Sequence, residues 1–226
     1  EWDLKDKSSR PKKIYYKTYI YFLLFAVIGD IIFGINVSRL WYYNYNNIME
    51  YLLLIAIIYP FGGWVLIQTF FILESTFVKN IKLEKIDSYL IKKFVMFLLF
   101  LSVITFIFRK DVLYGDFIFY SIASIGLYLY LEYKIIKTNK KSFMNSFIKN
   151  PKSYLLILIL GSFSQAIIQE FPNTFAKQWV YQNIPLINIL ILRVPILVFL
   201  GWVYLTLFSI SVYYFVLSRT KSFKSS

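Results

Sequence analysis

The chain contains neither cysteine nor histidine. Without thiols there are no disulfides, no thiolate-bound zinc or iron–sulfur cluster and no Cys-based redox chemistry. Without imidazole there is no His-ligated haem and no His general base, so any acid–base step falls to Asp, Glu, Tyr or Lys. Acidic residues are few, 12 against 25 Lys and Arg, leaving a net charge of +13. Glycine and proline are sparse too, at 8 and 6 in 226 residues. The polar loops hold no glycine-rich phosphate cradle, which argues against a nucleotide site.

What is abundant is apolar sequence. Hydrophobic residues make up 58% of the chain, aromatics 21%, and the mean hydropathy is +0.59, far from an ordinary soluble domain. Six apolar runs stand out, at 18–36, 51–73, 94–108, 114–133, 154–170 and 189–216. Each is long enough, or nearly so, to cross a ~30 Å hydrocarbon layer as a helix rising about 1.5 Å per residue. The expected fold is therefore all-α, a polytopic transmembrane bundle of about six spanning helices.

The basic residues alternate between the runs. Lys5, Lys7, Arg10, Lys12, Lys13 and Lys17 precede the first run, and Lys79, Lys82, Lys85, Lys92 and Lys93 follow the second. Lys134, Lys137, Lys140, Lys141, Lys149 and Lys152 follow the fourth, and Arg219, Lys221 and Lys224 end the chain. The opposite side carries only Arg39, Arg109, Lys110 and Lys177, with Arg193 left inside a run. The positive-inside rule then puts both termini in the cytoplasm of a multi-pass cell-membrane protein. The whole chain, 1–226, reads as one transmembrane domain with a basic cytoplasmic segment 1–17 and a cytoplasmic tail 218–226. The cations flank helix ends, so they are read as topology determinants facing anionic headgroups, and nucleic acid is not an expected partner. No small-residue cleavage site follows the first run, so it is not read as a signal peptide. No Lys lies mid-run, which argues against a retinal Schiff base.

Four of the five tryptophans form two pairs of equal spacing, Trp41 with Trp64 and Trp179 with Trp202. A shift of 138 residues superposes them and also aligns Tyr43 with Tyr181, Phe61 with Phe199, Gly63 with Gly201 and Val65 with Val203. Because runs 2 and 6 both enter from the outside, the expectation is a parallel internal repeat of about 18–73 and 154–216. Each unit is an inbound helix, an outer W-x-Y segment and a returning helix containing G-W. Gly63 and Gly201 are expected to let helices approach closely, with Trp64 and Trp202 filling space. The W-x-Y residues also suit interfacial anchoring.

Ionisable groups inside hydrocarbon cost about 2.5–3.5 kcal/mol each on insertion scales, so they normally have a partner or a task. Asp30 lies in the outer half of run 1, and Glu170 closes run 5, preceded by Gln165 and Gln169. Arg193 sits one turn inside run 6, where it is expected to snorkel outward or pair with Glu170. Asp116 and Glu50 lie near the outer boundary and Glu74 near the inner one. Pro60 and Pro195 are expected to kink their helices. Asn36-Val37-Ser38 is a glycosylation sequon at the membrane surface.

A carboxylic acid in low dielectric tends to keep its proton, and aromatic faces stabilise a cation. Together these suit proton-initiated chemistry on an apolar alkene. Asp30 and Glu170 are the candidate catalytic acids. Trp41, Tyr43, Trp179, Tyr181, Arg193 and Gln165 are candidate substrate-binding residues around an outer-leaflet cavity. Neither a metal nor another cofactor is called for.

Glu170, Asn173, Thr174, Trp179, Tyr181, Val194, Pro195, Val198, Leu200 and Trp202 resemble a segment of membrane carotenoid-biosynthesis proteins of the bacterioruberin-hydratase type. Asp30, Trp41, Tyr43 and Pro60 are more loosely similar to the small membrane lycopene cyclases. The resemblance covers roughly a third of the chain and implies a carotenoid or related polyene as substrate, with no metal or nucleotide. The cyclases carry paired carboxylates after a membrane proline, whereas Phe61 and Gly62 follow Pro60, and Ile196 and Leu197 follow Pro195. That departure points away from cyclisation and toward hydratase-like chemistry or lipid binding. The expected partner is a membrane lipid or a polyene or isoprenoid. A non-catalytic accessory subunit with a membrane-protein partner is the alternative, and a small transporter comes third.

Overall fold

A computed structural model describes residues 10–45, 47–78 and 86–220. Helix α1 (Arg10–Phe25) continues without a break into a π-helical stretch, Ala26–Val37. Strand β1 (Trp41–Tyr43) leads to α2 (Ile48–Leu53), a short π-helical segment Leu54–Ile58, and α3 (Tyr59–Phe77). Then come α4 (Ser88–Phe108), α5 (Gly115–Ile136), the short α6 (Phe143–Lys149) and α7 (Pro151–Ala176). Strands β2 (Trp179–Tyr181), β3 (Leu190–Ile191) and β4 (Val194–Pro195) precede α8 (Ile196–Arg219).

The chain is all-α apart from these short strands. Among the described residues, five helical stretches are long and apolar enough to cross a membrane: Lys12–Val37, Ile48–Phe77, Ser88–Phe108, Pro151–Ala176 and Ile196–Arg219. They match runs 1, 2, 3, 5 and 6, and α5 covers run 4 with 22 residues that include Asp116, Glu132 and Lys134. The residues Lys5, Lys7, Lys79, Lys82, Lys85, Lys221 and Lys224 lie outside the described segments.

Local chemistry sets several helix ends. Asn47 caps α2 by accepting from the Glu50 N–H, and its side-chain Nδ2 donates to the Glu50 carboxylate. Asp87 caps α4 by accepting from the Tyr89 N–H, Ser142 caps α6 by accepting from the Asn145 N–H, and Pro151 occupies the first turn of α7, where no donor is needed. Pro60 sits where the π-helical segment gives way to α3, the place where a missing N–H is most easily absorbed. Helix α7 ends on Lys177 in the left-handed conformation.

Helix α8 is the hub, packed against α1, α3, α5 and α7. Its faces meet buried Phe22, Ile67 and Leu131 on one side and Tyr154, Ile157 and Leu158 on another. Helix α4 packs against α5 and turns Phe94, Phe97, Phe100 and Ile107 outward, each more than half exposed. Such a surface suits a hydrocarbon solvent.

The last apolar run differs from expectation. Residues 190–195 form a tight hairpin, with Leu190 opposite Pro195 and Ile191 opposite Val194, and α8 starts only at Ile196. Leu192 and Arg193 turn the chain with positive φ of 49° and 65°. Pro195 therefore caps a helix and does not kink one. Arg193 sits at the tip of an exposed hairpin, outside the helix in which it was expected.

Candidate functional site

Strands β1 and β2 pair antiparallel across the end of the bundle from which α7 and α8 are joined. Trp41 lies opposite Tyr181, Tyr42 opposite Val180, and Tyr43 opposite Trp179. The ladder continues in both directions, through Gln182 N–H to Leu40 C=O and Asn44 N–H to Gln178 C=O, both at 2.8 Å. Asn173 anchors β2 to α7 by donating to the Trp179 carbonyl and accepting from its N–H. The two W-x-Y segments are thus locked face to face, each Trp against the other segment's Tyr.

Each segment also holds an acid. The Tyr43 hydroxyl donates to Asp30 Oδ2 at 3.1 Å and meets the Tyr59 hydroxyl at 2.5 Å. Trp41 and Tyr59 line the cavity beside the same carboxyl. In the other half, Glu170 accepts from Tyr181 Oη at 2.7 Å, Trp202 Nε1 at 2.9 Å and Trp179 Nε1 at 3.1 Å. Asp30 and Glu170 are 5% and 3% exposed, so neither is a solvated helix end. Burial first, and the adjoining carboxyls second, push the Tyr43 and Tyr181 hydroxyls well above the ordinary tyrosine range. Both therefore stay protonated and act as donors.

The acids are not at equivalent positions in sequence. Asp30 precedes its tyrosine by 13 residues and Glu170 by 11. The π-helical stretch around Asp30 winds more residues into each turn than the α-helix around Glu170, and so accommodates the surplus.

Beside these clamps lies one cavity of about 560 Å³. Its wall includes Asp30, Trp41, Tyr43, Tyr59, Tyr120 and Trp202, with Trp179 and Tyr181 between it and Glu170. Trp41 meets Tyr120 edge to face at 5.5 Å. Mostly apolar side chains and glycines make up the rest of the wall, with Ser121, Ser124, Ser209 and Gln169 as further polar groups, and among the described residues Asp30 is its only charged group. The volume is within the roughly 300–1,000 Å³ range of small-molecule pockets.

Of the residues read from sequence, Asp30, Trp41, Tyr43, Trp179 and Tyr181 come together here, with Glu170 directly behind. Two do not. Arg193 holds its guanidinium over the Phe175 ring at 5.3 Å on the exposed hairpin, and the Glu170 carboxyl is taken by Trp and Tyr donors. The expected pairing of Arg193 with Glu170 is thus replaced. Gln165 is buried elsewhere and ties α7 to α3 by donating to Thr69 Oγ1 at 3.2 Å.

Sequence reasoning missed Tyr59 and Tyr120, single aromatics in a chain full of them. It also cast Trp202 as a space-filler, when its indole N–H binds Glu170. Its aligned partner Trp64 instead packs among Tyr15 and Tyr213. Gly63 does permit close packing, because a Cβ there would come within 2.6 Å of the Phe22 ring. Gly201 does not, since a Cβ there would meet nothing within 4 Å.

A second buried polar cluster lies at the α6 end. Glu74 accepts from Lys141 Nζ at 2.9 Å and from Tyr154 Oη at 2.5 Å. Glu132, fully buried and absent from the sequence candidates, accepts from Ser211 Oγ at 2.6 Å and the Met144 N–H at 2.9 Å. Near the opposite end Asp116 pairs with Arg109 and Lys110 at 3.2 and 2.6 Å, tying together the turn before α5.

No family model, curated protein or solved structure matches this chain.

Proposed function

We propose that the protein is a membrane enzyme acting on an isoprenoid or carotenoid chain, with Asp30 as the proton donor in a hydratase-like addition of water. The observation that carries this reading is the placement of one carboxyl, the only charged group among the described lining residues, in the wall of a largely apolar and aromatic cavity whose other polar side chains include Ser121, Ser124, Ser209 and Gln169. Asp30 gives its proton to a carbon of the alkene, and the electron pair of the double bond forms the new C–H bond. The resulting cation is stabilised by the faces of Trp41, Tyr120 and Trp202. Water adds through oxygen, and the proton it loses returns to the Asp30 carboxylate along the Tyr43 and Tyr59 hydroxyls. The balance is alkene plus water to alcohol, with no oxidant or reductant. Glu170 does not itself line the cavity; it positions Trp179, Tyr181 and Trp202, which do.

The proposed topology has six crossings with both termini cytoplasmic. In support, α5 has 22 residues, about 33 Å at the usual rise, and the cations sort to alternate loops. A parallel repeat is supported by the β1–β2 register, which exchanges Trp and Tyr between segments, and by the parallel clamping of an acid in each half.

The test is incubation of purified protein in lipid nanodiscs with a linear polyene in D₂O. Turnover yields the alcohol with deuterium on carbon, and Asp30→Asn abolishes it while near-UV circular dichroism stays unchanged. Undiminished turnover by Asp30→Asn would remove the acid assignment. Tight polyene binding with no turnover by the wild type would instead favour the non-catalytic lipid-binding alternative, which the same apolar wall supports.

A further inference from the structure

The cavity faces of α3 and α8 each have a gap. On the α3 side Leu54, Ile58, Gly62 and Leu66 recur every four residues and all line the cavity. On α8 the lining stripe runs Leu197, Gly201, Leu205 and Phe208, at helical spacing. A glycine therefore sits within each stripe, flanked above and below by large side chains. The two positions share a second property: a Cβ built on Gly62 or Gly201 meets no atom within 4 Å. Packing does not require these glycines, since a methyl at either would meet no neighbouring atom within 4 Å. This sets them apart from Gly63, whose neighbour Phe22 would obstruct a methyl. Intrinsic helix propensity also disfavours them, by about 1 kcal/mol each relative to Ala. What they leave is open cavity.

The size of that space limits the occupant. A methylene fills close to the volume of one water in the liquid, about 30 Å³, so 560 Å³ holds roughly twenty chain atoms. Ile58, Ile125 and Leu200 line the cavity and are yet 53%, 47% and 61% exposed, so the space opens at the apolar surface of the bundle. A longer chain can thus leave part of itself outside.

We infer that Gly62 and Gly201 determine which chain the site accepts: their missing side chains open a bore between α3 and α8 that admits a linear hydrocarbon segment of about twenty carbons. This rests on the isoprenoid reading for the chemical nature of the chain, though not for its length. A leucine at either position fills the bore and shortens the longest acceptable ligand, leaving the Asp30 end intact.

The experiment measures quenching of the cavity tryptophans by linear prenyl alcohols of ten, fifteen and twenty carbons, in nanodiscs, for the wild type, Gly62→Leu and Gly201→Leu. The wild type is expected to bind the twenty-carbon alcohol most tightly. Each leucine variant is expected to lose about tenfold or more of that affinity while keeping the ten-carbon alcohol. Should a leucine variant fail to fold, Gly62→Ala and Gly201→Ala take its place, since a methyl meets nothing there, with a smaller loss of about threefold at twenty carbons. Unchanged twenty-carbon affinity in the folded variants overturns the inference and leaves the isoprenoid reading standing. If the wild type rejects all prenyl alcohols but binds straight saturated alcohols with the same glycine dependence, the isoprenoid reading falls and the inference holds. Binding of neither class overturns both.

Discussion

The indole of Trp41 occupies the space where Gly34 has no side chain. A methyl on Gly34 would come within 2.4 Å of Trp41 Cζ2 and 2.7 Å of Cη2, with no flexible tip able to yield. The ring is held there against Tyr120 and beside Asp30, so Gly34 in effect aims a wall of the cavity. Gly34→Ala is expected to push the indole off this seat at an overpacking cost of about 1–3 kcal/mol. Thermal unfolding in detergent measures the stability loss, and a shifted tryptophan emission with at least tenfold weaker ligand binding reports the displaced ring. Wild-type binding in Gly34→Ala would show that the seat is adjustable.

Five long apolar helices were legible because long apolar runs have few alternatives in a chain of this composition. The W-x-Y pairs were legible because tryptophan is rare enough for equal spacing to carry meaning. What could not be read was geometry finer than a run. A π-helical stretch has no residue signature distinct from that of an α-helix, yet it lets the Asp30 side keep its surplus residues. The hairpin at 190–195 was hidden because its turn is made by Leu192 and Arg193, neither a turn former, and its strands are as apolar as a helix. Glycines also look alike in sequence. Gly34 and Gly63 are pressed by aromatic rings, while Gly62 and Gly201 face open space, a distinction made by residues far away in the chain.

Glu170 receives three donors on two oxygens, Tyr181 and Trp202 on Oε1 and Trp179 on Oε2, so both oxygens must accept. Glu170→Gln keeps one carbonyl oxygen but turns an NH₂ toward an indole or phenol donor. At least one buried donor then goes unpaired, at a cost of about 1–3 kcal/mol. Glu170→Ala strands all three and is expected to cost more. Chemical unfolding of the two variants checks the order. Equal stability of wild type and Glu170→Gln would mean the clamp is not made in the membrane.

Gly63 and Gly201 align in sequence but predict opposite responses to the same substitution. Gly63→Ala forces a methyl against the Phe22 ring, where a Cβ would sit 2.6 Å from Cε2, and parts α1 from α3. A loss of about 1–3 kcal/mol is expected. Gly201→Ala adds a methyl to open space and improves helix propensity by about 1 kcal/mol, so its midpoint is expected to hold or rise. Combining Gly63→Ala with Phe22→Leu should recover part of the loss, because the leucine vacates the obstructed space. Parallel thermal scans of the three variants decide the matter.

Glu74 and Lys141 bring α3 and the segment before α6 together through an ion pair that is 4% and 12% exposed. Burial draws the Lys141 ammonium below its usual range, and the Glu74 carboxylate pulls it part of the way back. Removing one partner leaves the other charge buried, which typically costs about 3–5 kcal/mol. Glu74→Gln and Lys141→Met are each expected to be destabilising on that scale. The double variant removes both charges at once and is expected to lose less than either single variant, since two neutral side chains face a largely apolar surround. Tyr154 donates to the same carboxylate at 2.5 Å, and its hydroxyl can instead donate to the Gln carbonyl in Glu74→Gln. A double-mutant cycle on chemical unfolding measures the coupling, expected to exceed about 1 kcal/mol for groups in direct contact. Additive losses would mean that the two charges are solvated independently and do not hold α3 to the α6 segment.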